Sequence, residues 1–330
     1  MSTHSSLIRR LAVLLPLLLA ATLAVAAPPT STPPVMVRYS FATVRGVRLF
    51  YREAGSPTAP TVLLLHGFPS SSFMFRNLLP ELAGQYHVLA PDFPGFGYTE
   101  VPASAAFSYT FAQVAELLND WLDQLGVARC SVYIFDYSAP VGLRMLTQRP
   151  ERLQCLIVQN GNLYAEGLGQ ILRDTRANIE AGTPEAIARV MTQFELPYTK
   201  FEYLHGASDP ARIAPDGYTL DQALMDRPGN KAIQFQYKVD YRSNPPLYPE
   251  WQAYLRRIQP PTLVVWGEND PVFTKAGALG LRRDVRDLEM HFYPTGHFAL
   301  EEFGEPMAAV IRSFFARKLP PTPAHASPRK

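Results

Sequence analysis

The sequence predicts an α/β fold built on a doubly wound, mostly parallel sheet. Short, continuously apolar runs of the kind that form buried parallel strands recur along the chain, and helical patterns separate them. The clearest helix candidate spans residues 111–125, where Phe111, Val114, Leu118 and Leu122 share one apolar face. Repeated alternation of strand and helix is typical of a sheet that carries helices on both faces.

Eight runs are the strand candidates, and all are rich in β-branched and aromatic residues. In chain order they are VRYSFATV, VRLFYREA, TVLLLHG, YHVLAPD, SVYIFD, CLIVQN, TLVVWG and LEMHFYP. Only a short Val-Arg-Gly turn separates the first two runs. We therefore expect these two strands to form an antiparallel hairpin at one edge of the sheet.

Two stretches interrupt this alternation. Residues 162–245 hold helical patterns broken by prolines and glycines, without a strand pattern. Because a loop of this length without secondary structure is unusual in a compact domain, we expect an inserted helical cap there. Residues 319–330 are rich in proline and polar side chains, and their composition predicts a disordered tail.

The N-terminus has the three parts of a secretory signal peptide over residues 1–26. Two arginines precede an apolar run over residues 11–21, and the small residues 24–26 supply a cleavage site. A membrane anchor is the alternative, but the apolar stretch 11–27 is shorter than the ~20 residues that a spanning helix needs. We expect cleavage, then a proline-rich spacer over residues 27–36, and export to the periplasm or medium without stable membrane insertion.

The composition bounds the possible partners. With 330 residues, of which 47% are hydrophobic and 18% charged, the chain can bury a large core and is not a disordered or disulfide-scaffold protein. The 31 basic and 29 acidic residues nearly cancel, so the basic footprint of a nucleic-acid binder is missing. We expect a small, largely apolar molecule as the partner and no nucleic acid; the oligomeric state stays open.

Cofactor and metal motifs are missing from the sequence. Gly95 and Gly97 lack the third glycine and the following helix of a dinucleotide fingerprint, and no phosphate-binding GxxxxGK[ST] occurs. Cys130 and Cys155 have no histidine at zinc-ligand spacing. Because disulfide geometry between neighbouring parallel strands is demanding, two buried thiols are the simpler prediction. We expect neither a cofactor nor a metal.

The most informative stretch is SVYIFDYSAPVGLRM, in which a strand ends at Asp136 and helix-compatible residues follow. A sharp strand-to-helix turn lifts its apex side chain into a pocket and directs the backbone N–H of the next residue, here Tyr137, at the attacked centre. Asp136 is the predicted apex. Two alternatives are a register with Ser138 at the apex, for which Asp136 and Pro140 are poorly suited neighbours, and a purely capping aspartate.

Two later strands supply partners for Asp136. TLVVWG ends at Glu268-Asn269-Asp270, and LEMHFYP ends at Thr295-Gly296-His297. This is the chain order nucleophile, acid, histidine. For His297, the alternative is a structural core histidine, which its joint occurrence with Asp136 and Asp270 disfavours.

Two further loops are expected at the carboxyl ends of parallel strands, where open α/β sheets bind their ligands. The strand TVLLL leads into His66, Gly67, Phe68 and Pro69, and HVLAPD leads into the glycine-containing segment 93–97. We assign His66, Gly67 and Pro69 to the pocket loops. The ring of His66 is expected to hold its loop by hydrogen bonds.

Together these motifs resemble the α/β-hydrolase fold enzymes with an aspartate nucleophile, namely the epoxide hydrolases and haloalkane dehalogenases. HGFP, DFPGFG, FDYSAPVG, WGEND and TGHFALEEF carry the resemblance over residues 37–161 and 246–318. It implies an eight-stranded, mostly parallel sheet as the core and a cap over residues 162–245. The elbow departs from the usual pattern because Ile134 stands where a glycine often occurs.

The resemblance also implies roles for cap tyrosines. Epoxide hydrolases hold the epoxide oxygen with such tyrosines, and one often lies in a Tyr-Arg-Asn-like stretch some thirty residues before the acid. Here Tyr241 begins the stretch YRSN, 29 residues before Asp270, and is the candidate proton donor. For a first cap tyrosine, Tyr198, Tyr203 and Tyr237 all remain candidates.

Dehalogenases of this family typically bind halide with an indole N–H directly after the nucleophile and sometimes with an asparagine in the HG loop. Tyr137 and Phe68 occupy those positions, and neither side chain offers that donor. An arginine after the nucleophile, as in fluoroacetate dehalogenases, is also missing. The preferred prediction is therefore an epoxide hydrolase; a haloalkane or haloacid dehalogenase and a non-catalytic ligand-binding homologue are the alternatives.

The predicted mechanism has two steps. Asp136 opens the epoxide to form an alkyl-enzyme ester while Tyr241 protonates the departing oxygen. His297, oriented by Asp270, then activates the water that hydrolyses the ester, and the backbone N–H groups of Phe68 and Tyr137 form the oxyanion hole.

Overall fold

The computed structural model describes residues 35–319; the predicted signal peptide, most of the spacer and the tail beyond residue 319 lie outside the described residues. In the described part, all eight predicted strands are present. They are β1 (Arg38–Val44), β2 (Val47–Ala54), β3 (Thr61–Leu64), β4 (His87–Pro91), β5 (Cys130–Phe135), β6 (Leu153–Gln159), β7 (Thr262–Gly267) and β8 (Leu288–Tyr293).

The strands form one sheet in the order β1-β2-β4-β3-β5-β6-β7-β8. β1 and β2 make the predicted antiparallel hairpin, with Val44 opposite Val47 next to the turn, and β2 is also antiparallel to β4. From β4 to β8 every neighbouring pair is parallel. The loops that follow these parallel strands therefore meet at one edge of the sheet.

Helices cover both faces of the sheet. They are α1 (Leu78–Leu82), α2 (Phe111–Gln124), α3 (Ser138–Gln148), α4 (Gln170–Ala181), α5 (Pro184–Met191), α6 (Leu196–Leu204), α7 (Pro215–Met225), α8 (Asn230–Asp240), α9 (Tyr248–Ile258), α10 (Lys275–Gly280), α11 (Ala299–Glu302) and α12 (Gly304–Lys318). One apolar core contains residues of α2, α3 and α9, such as Trp121 and Leu255. The core on the opposite face contains residues of α1 and α12, such as Leu82 and Phe315.

Helices α4–α8, which we call the insertion helices, lie in the chain between β6 and β7. α8 contacts α4, α5 and α7, so these helices form a layer of their own. No helix between residues 35 and 319 combines the length and hydropathy needed to cross a bilayer. Cys130 and Cys155 lie on the neighbouring strands β5 and β6 as two separate, buried thiols.

Candidate active site

Asp136 lies at a sharp turn between β5 and α3. Its backbone φ is +50°, a left-handed conformation that side-chain-bearing residues rarely adopt and that marks functional turns. The turn fits only because its neighbour across the sheet edge is a glycine. A Cβ at Gly67 would lie 2.4 Å from the Cβ of Asp136 and 2.6 Å from its Oδ1. The HG loop after β3 is thus shaped around the Asp136 carboxylate.

Both predicted oxyanion-hole donors contact this carboxylate. The backbone N–H of Phe68 donates to Asp136 Oδ1 over 2.6 Å, and the backbone N–H of Tyr137 is a second donor; both oppose the rise in the pKa of Asp136 that burial causes. Two N–H groups directed at one carboxylate are pre-aligned for negative charge that develops there.

His297 and Asp270 form a buried pair beside Asp136. The Nδ1 of His297 lies 2.8 Å from Asp270 Oδ2, and its Nε2 lies 3.8 Å from Asp136 Oδ2. His297 is only 1% exposed, and its Nε2 has no hydrogen-bond partner among the described residues. The structure therefore brings the three residues predicted at the ends of β5, β7 and β8 together, with the free imidazole nitrogen facing the carboxylate.

Asn160, which the sequence analysis missed, holds Asp270 in place. Its side-chain N–H donates to Asp270 Oδ2 over 2.8 Å, and its side-chain oxygen accepts the backbone N–H of Gly267 over 2.9 Å. The other oxygen of Asp270 accepts the backbone N–H of Val272 over 2.7 Å. The sequence did contain a signal for Asn160, because this residue directly follows the strand CLIVQ, at the sheet edge where the other site residues lie.

The charges of Asp136 and His297 are coupled. Burial raises the pKa of Asp136 to about 7, although the neighbouring His297 favours the ionised carboxylate. Burial disfavours the charged form of His297, but the carboxylates of Asp270, Glu202 and Asp136 outweigh it and raise the pKa of the imidazole to about 9. The resting site is consequently best described as an imidazolium among carboxylates.

His66 supports the loop rather than the chemistry. Its Nε2 accepts the backbone N–H of Phe93 over 2.9 Å, and its Nδ1 faces the carbonyl oxygen of Gly67 at 3.2 Å. Complete burial lowers the pKa of His66 to about 3, so the ring stays neutral. It joins the HG loop to the loop after β4. Pro69 follows Phe68 through a cis peptide bond.

The side chain of Ser138 is turned away from the site. Its hydroxyl oxygen lies 2.7 Å from each of the carbonyl oxygens of Leu65 and Phe135, which share its one hydrogen, and it accepts the backbone N–H of Phe135. A hydroxyl committed to three backbone groups is poorly placed to attack a substrate. The register with Ser138 at the apex does not fit this geometry.

The candidate cap tyrosines separate into two groups. Tyr203 donates to Asp221 over 2.5 Å and stacks on Phe298, and Tyr237 donates to the carbonyl oxygen of Pro94. The hydroxyl hydrogens of both are therefore already bonded within the protein. Tyr198 instead faces the site. Burial is the largest cause that raises the pKa of Tyr198 well above its usual range, and the nearby Glu202 and Asp136 add to this shift.

Tyr241 also faces the site. Its ring centroid lies 6.2 Å from that of Tyr137 and 6.5 Å from that of Phe273, which borders His297. Burial raises the pKa of Tyr241 well above its usual range, and Tyr248 and the charge of Asp136 add to this shift. Of the tyrosines considered from the sequence, Tyr198 and Tyr241 are those placed within reach of the Asp136 charge.

Two charged residues of the insertion helices were not foreseen. Glu202 on α6 is 4% exposed, and its Oε2 lies 3.9 Å from His297 Nε2. The ammonium of Lys238 on α8 lies 4.2 Å above the ring of Phe68, and burial lowers its pKa against the opposing effect of Glu202 and Asp136. On the sequence, both are charged side chains outside the recognised motifs, for which solvent exposure is the ordinary expectation, so no local signal marked them.

A cavity of about 570 Å³ lies between the insertion helices and Tyr137 of the elbow; Asp136 and His297 are not among its lining residues. Its lining includes the aromatic Tyr137 and Tyr241, the aliphatic Leu168 and Leu172, and charged side chains. The charged residues of the lining are Lys238, Arg173, Arg176, Glu180 and Arg242. Residues 35–319 contain no cluster of three or more His, Cys, Asp or Glu side chains arranged to hold a metal ion.

The fold and site define a hydrolase of the α/β-hydrolase fold family, and the chain belongs to that family. The family's sequence model, the alpha/beta hydrolase fold, matches residues 60–303. The chain is 43% identical over 276 residues to an uncharacterized hydrolase of Saccharomyces cerevisiae. This match covers 82% of this chain and 94% of the yeast protein.

More distant relatives carry the two names that the motifs suggested. A haloalkane dehalogenase of Mycobacterium marinum is 28% identical over 70% of this chain and 75% of its own length. Epoxide hydrolase 3 of Mus musculus is 24% identical over 85% of this chain and 80% of its own length.

Solved structures share the fold. The haloalkane dehalogenase DatA from Agrobacterium tumefaciens superposes with a TM-score of 0.70 at 21% identity, covering 85% of this chain and 97% of its own. The epoxide hydrolase CorEH superposes with a TM-score of 0.69 at 19% identity, covering 86% of this chain and 99% of its own.

Proposed function

We propose that this hydrolase opens epoxides to diols through an ester formed on Asp136. The observation that carries the proposal is the position of Asp136: at the apex of a strained turn, under two backbone N–H groups, with the free nitrogen of His297 3.8 Å from its second oxygen. A carboxylate suits attack on saturated carbon because it is an ionised nucleophile without prior deprotonation, unlike serine.

The first step forms the ester. An Asp136 oxygen attacks an epoxide carbon, the carbon–oxygen bond of the ring breaks, and the departing oxygen takes the hydroxyl proton of Tyr241. Tyr241 lies within the electrostatic range of Asp136, and Tyr198 is the second tyrosine of the insertion helices near this carboxylate. Phenol groups are suitable donors to a developing alkoxide.

The second step hydrolyses the ester. His297 Nε2 takes a proton from water, whose oxygen attacks the carbonyl carbon of the Asp136 ester, while Asp270 stabilises the imidazolium that forms. The backbone N–H groups of Phe68 and Tyr137 hold the oxyanion; each donor of this kind is typically worth ~2.7–4 kcal/mol in the barrier. Collapse breaks the bond to the alkyl oxygen and releases the diol.

The cavity suits a small substrate with an apolar body. The rings of Tyr137 and Tyr241 line the cavity, Phe68 packs against Tyr137, and the volume of about 570 Å³ accommodates a molecule of modest size. We propose that the carbon next to the reacting oxygen packs against these rings.

A haloalkane dehalogenase using the same three residues is the second candidate, favoured by the relative of that name from Mycobacterium marinum. The positions that would supply an indole N–H or an asparagine amide for halide hold Tyr137 and Phe68. Because of this difference, we prefer an epoxide to a haloalkane as the substrate.

Trapping the ester tests the proposal. His297→Gln should leave ester formation intact and block hydrolysis, so protein incubated with styrene oxide should gain the mass of the whole epoxide on a peptide containing Asp136. Incubation with 1,2-dibromoethane tests the second candidate. A dehalogenase should gain the mass of the reagent without one bromine, which leaves as bromide when the ester forms. Asp136→Asn is the matched control and should gain no mass. If neither reagent labels His297→Gln and the wild type turns over neither, the proposed function is wrong.

A further inference from the structure

Glu202 is a buried carboxylate that the mechanism above does not use. It lies on α6 of the insertion helices, and its side chain is 3% exposed. Its Oε2 is 3.9 Å from His297 Nε2, almost the same distance as that from the same nitrogen to Asp136 Oδ2, 3.8 Å. One imidazole nitrogen, without a hydrogen-bond partner among residues 35–319, therefore lies within 4 Å of two carboxylates.

These separations are too long for direct hydrogen bonds and suit a small molecule between the groups. A water that attacks the Asp136 ester must direct a lone pair at the carbonyl carbon, so both of its hydrogens must point elsewhere. His297 Nε2 accepts one of them. Glu202, whose Oε2 lies 3.9 Å from this nitrogen, is the acceptor available to the second.

The surroundings of Glu202 act on its charge in opposite directions, and the residue paired with it within 4.0 Å is His297. Burial raises the pKa of Glu202, and the charges of His297 and Lys238, together with hydrogen bonding from Tyr198, oppose that effect. No ion pair within 4.0 Å joins Glu202 to Lys238 among the described residues, so Lys238 compensates the charge from a distance. A carboxylate buried at such cost, with free acceptor capacity toward the imidazole, needs a functional explanation.

We propose that Glu202 is a further catalytic residue, which accepts the second hydrogen of the hydrolytic water and so orients it toward the Asp136 ester. This inference rests on the proposed ester mechanism. The competing explanation is structural: Glu202 would serve only to attract Lys238 and hold α6 and α8 together.

The proposed step balances. As the water oxygen bonds to the ester carbon, one proton passes to His297, which returns it to the alkyl oxygen when that bond breaks. The second hydrogen remains on the regenerated Asp136 carboxyl and passes to Glu202 as Asp136 ionises again. Glu202 then gives this proton to the tyrosine, which had lost its own proton to the epoxide oxygen in the first step. The two hydrogens of water are thus accounted for by the second diol hydroxyl and the tyrosine.

The test is a single-turnover measurement on Glu202→Gln with styrene oxide, in which the ester on Asp136 is quantified by mass spectrometry in quenched samples. We expect ester formation to stay within about threefold of wild type and ester hydrolysis to slow about 10- to 100-fold, the range for a misplaced reacting group. The pH midpoint of hydrolysis should also move down, because Gln removes one of the charges that raise the pKa of His297. Asp136, Asp270 and Glu202 face this imidazole, and Lys238 faces two of them.

Asp221→Asn is the matched control. Asp221 is another buried carboxylate of the insertion helices, on α7, and it accepts a hydrogen bond from Tyr203. Burial raises the pKa of Asp221 to about 8, so asparagine resembles its protonated form. This variant should change neither the hydrolysis rate nor its pH midpoint.

Glu202→Asp keeps the charge but withdraws the carboxylate by one methylene. It should slow hydrolysis while leaving the pH midpoint nearly in place, and it carries the test if Glu202→Gln does not fold. For Glu202→Gln, each of three results would overturn the proposal: hydrolysis at the wild-type rate, slowed ester formation alone, or slowed hydrolysis with an unmoved pH midpoint. Failure of the ester mechanism itself would show separately, as an unlabelled His297→Gln protein.

Discussion

The side-chain amide of Asn160 and the Nδ1 of His297 meet the same oxygen of Asp270, each at 2.8 Å. Asn160 also joins the ends of β6 and β7, because its side-chain oxygen accepts the backbone N–H of Gly267. Its φ of +38° is a conformation that asparagine tolerates better than most residues. The orientation of the acid thus depends on a residue from the neighbouring strand.

Replacing Asn160 should separate stability from catalysis. Asn160→Ala leaves the N–H of Gly267 unpaired and should lower the free energy of unfolding by about 1–3 kcal/mol, measured by urea titration. Asn160→Asp keeps an acceptor for Gly267 but places a second carboxylate against Asp270, so ester hydrolysis should suffer more than ester formation. Equal hydrolysis rates in Asn160→Asp and wild type would contradict this role.

The buried nucleophile predicts a neutral pH threshold for ester formation. Attack requires ionised Asp136, and because burial raises its pKa to about 7, the reactive form is lost as the pH falls through that value. An ordinary aspartate would lose it near pH 4. We expect kcat/KM for an epoxide to fall below about pH 7, as measured from initial rates between pH 5 and 10. Full activity at pH 5 would be inconsistent with this environment.

Ester hydrolysis should show a different pH dependence, because it requires neutral His297. In the free enzyme the pKa of His297 is raised to about 9, and the Asp136 charge contributes to that rise. Ester formation neutralises Asp136, so the pKa in the intermediate should lie lower. The hydrolysis rate, followed in single turnovers, should increase with pH and reach half its maximum below pH 9. A midpoint at or above 9 would mean that Asp136 does not carry the ester.

Most of the fold followed from the sequence because buried parallel strands are continuous apolar runs. The eight strand candidates correspond to the eight strands observed, and the short turn before Val47 produces the edge hairpin. Strand β6 begins two residues before Cys155, since Leu153 pairs with Cys130 across a register shift. Such boundaries depend on pairing partners and have no local signal.

The candidate site was only partly predictable. Asp136, Asp270 and His297 follow the parallel strands β5, β7 and β8 at one edge of the sheet, so the strand pattern alone predicts that they lie near each other. Glu202 and Lys238 reach the site from the insertion helices, whose packing on the sheet edge is a tertiary property without a sequence period. The cap tyrosines could be sorted only when the partners of Tyr203 and Tyr237 were seen.

Ser138→Ala should distinguish the aspartate elbow from a serine hydrolase. Ser138 bonds to the backbone of Leu65 and Phe135, so its removal should destabilise the protein by about 1–3 kcal/mol through unpaired buried groups. Ester formation on Asp136, measured by mass in the His297→Gln background, should persist. Loss of all labelling in a folded Ser138→Ala protein would instead assign the attack to the serine.

The isoleucine at the elbow is accommodated by a glycine on the following helix. A Cβ at Gly142 would lie 2.7 Å from Cγ2 of Ile134, a side chain that is fully buried on β5. Gly142→Ala should therefore destabilise the protein by about 1–3 kcal/mol despite the better helix propensity of alanine, because overpacking a β-branched residue leaves little room to adjust. Adding Ile134→Ala should relieve the clash, so the double variant should be less destabilised than the sum of the single changes in urea unfolding. Additive losses would show that the space at Gly142 is not what admits isoleucine into the elbow.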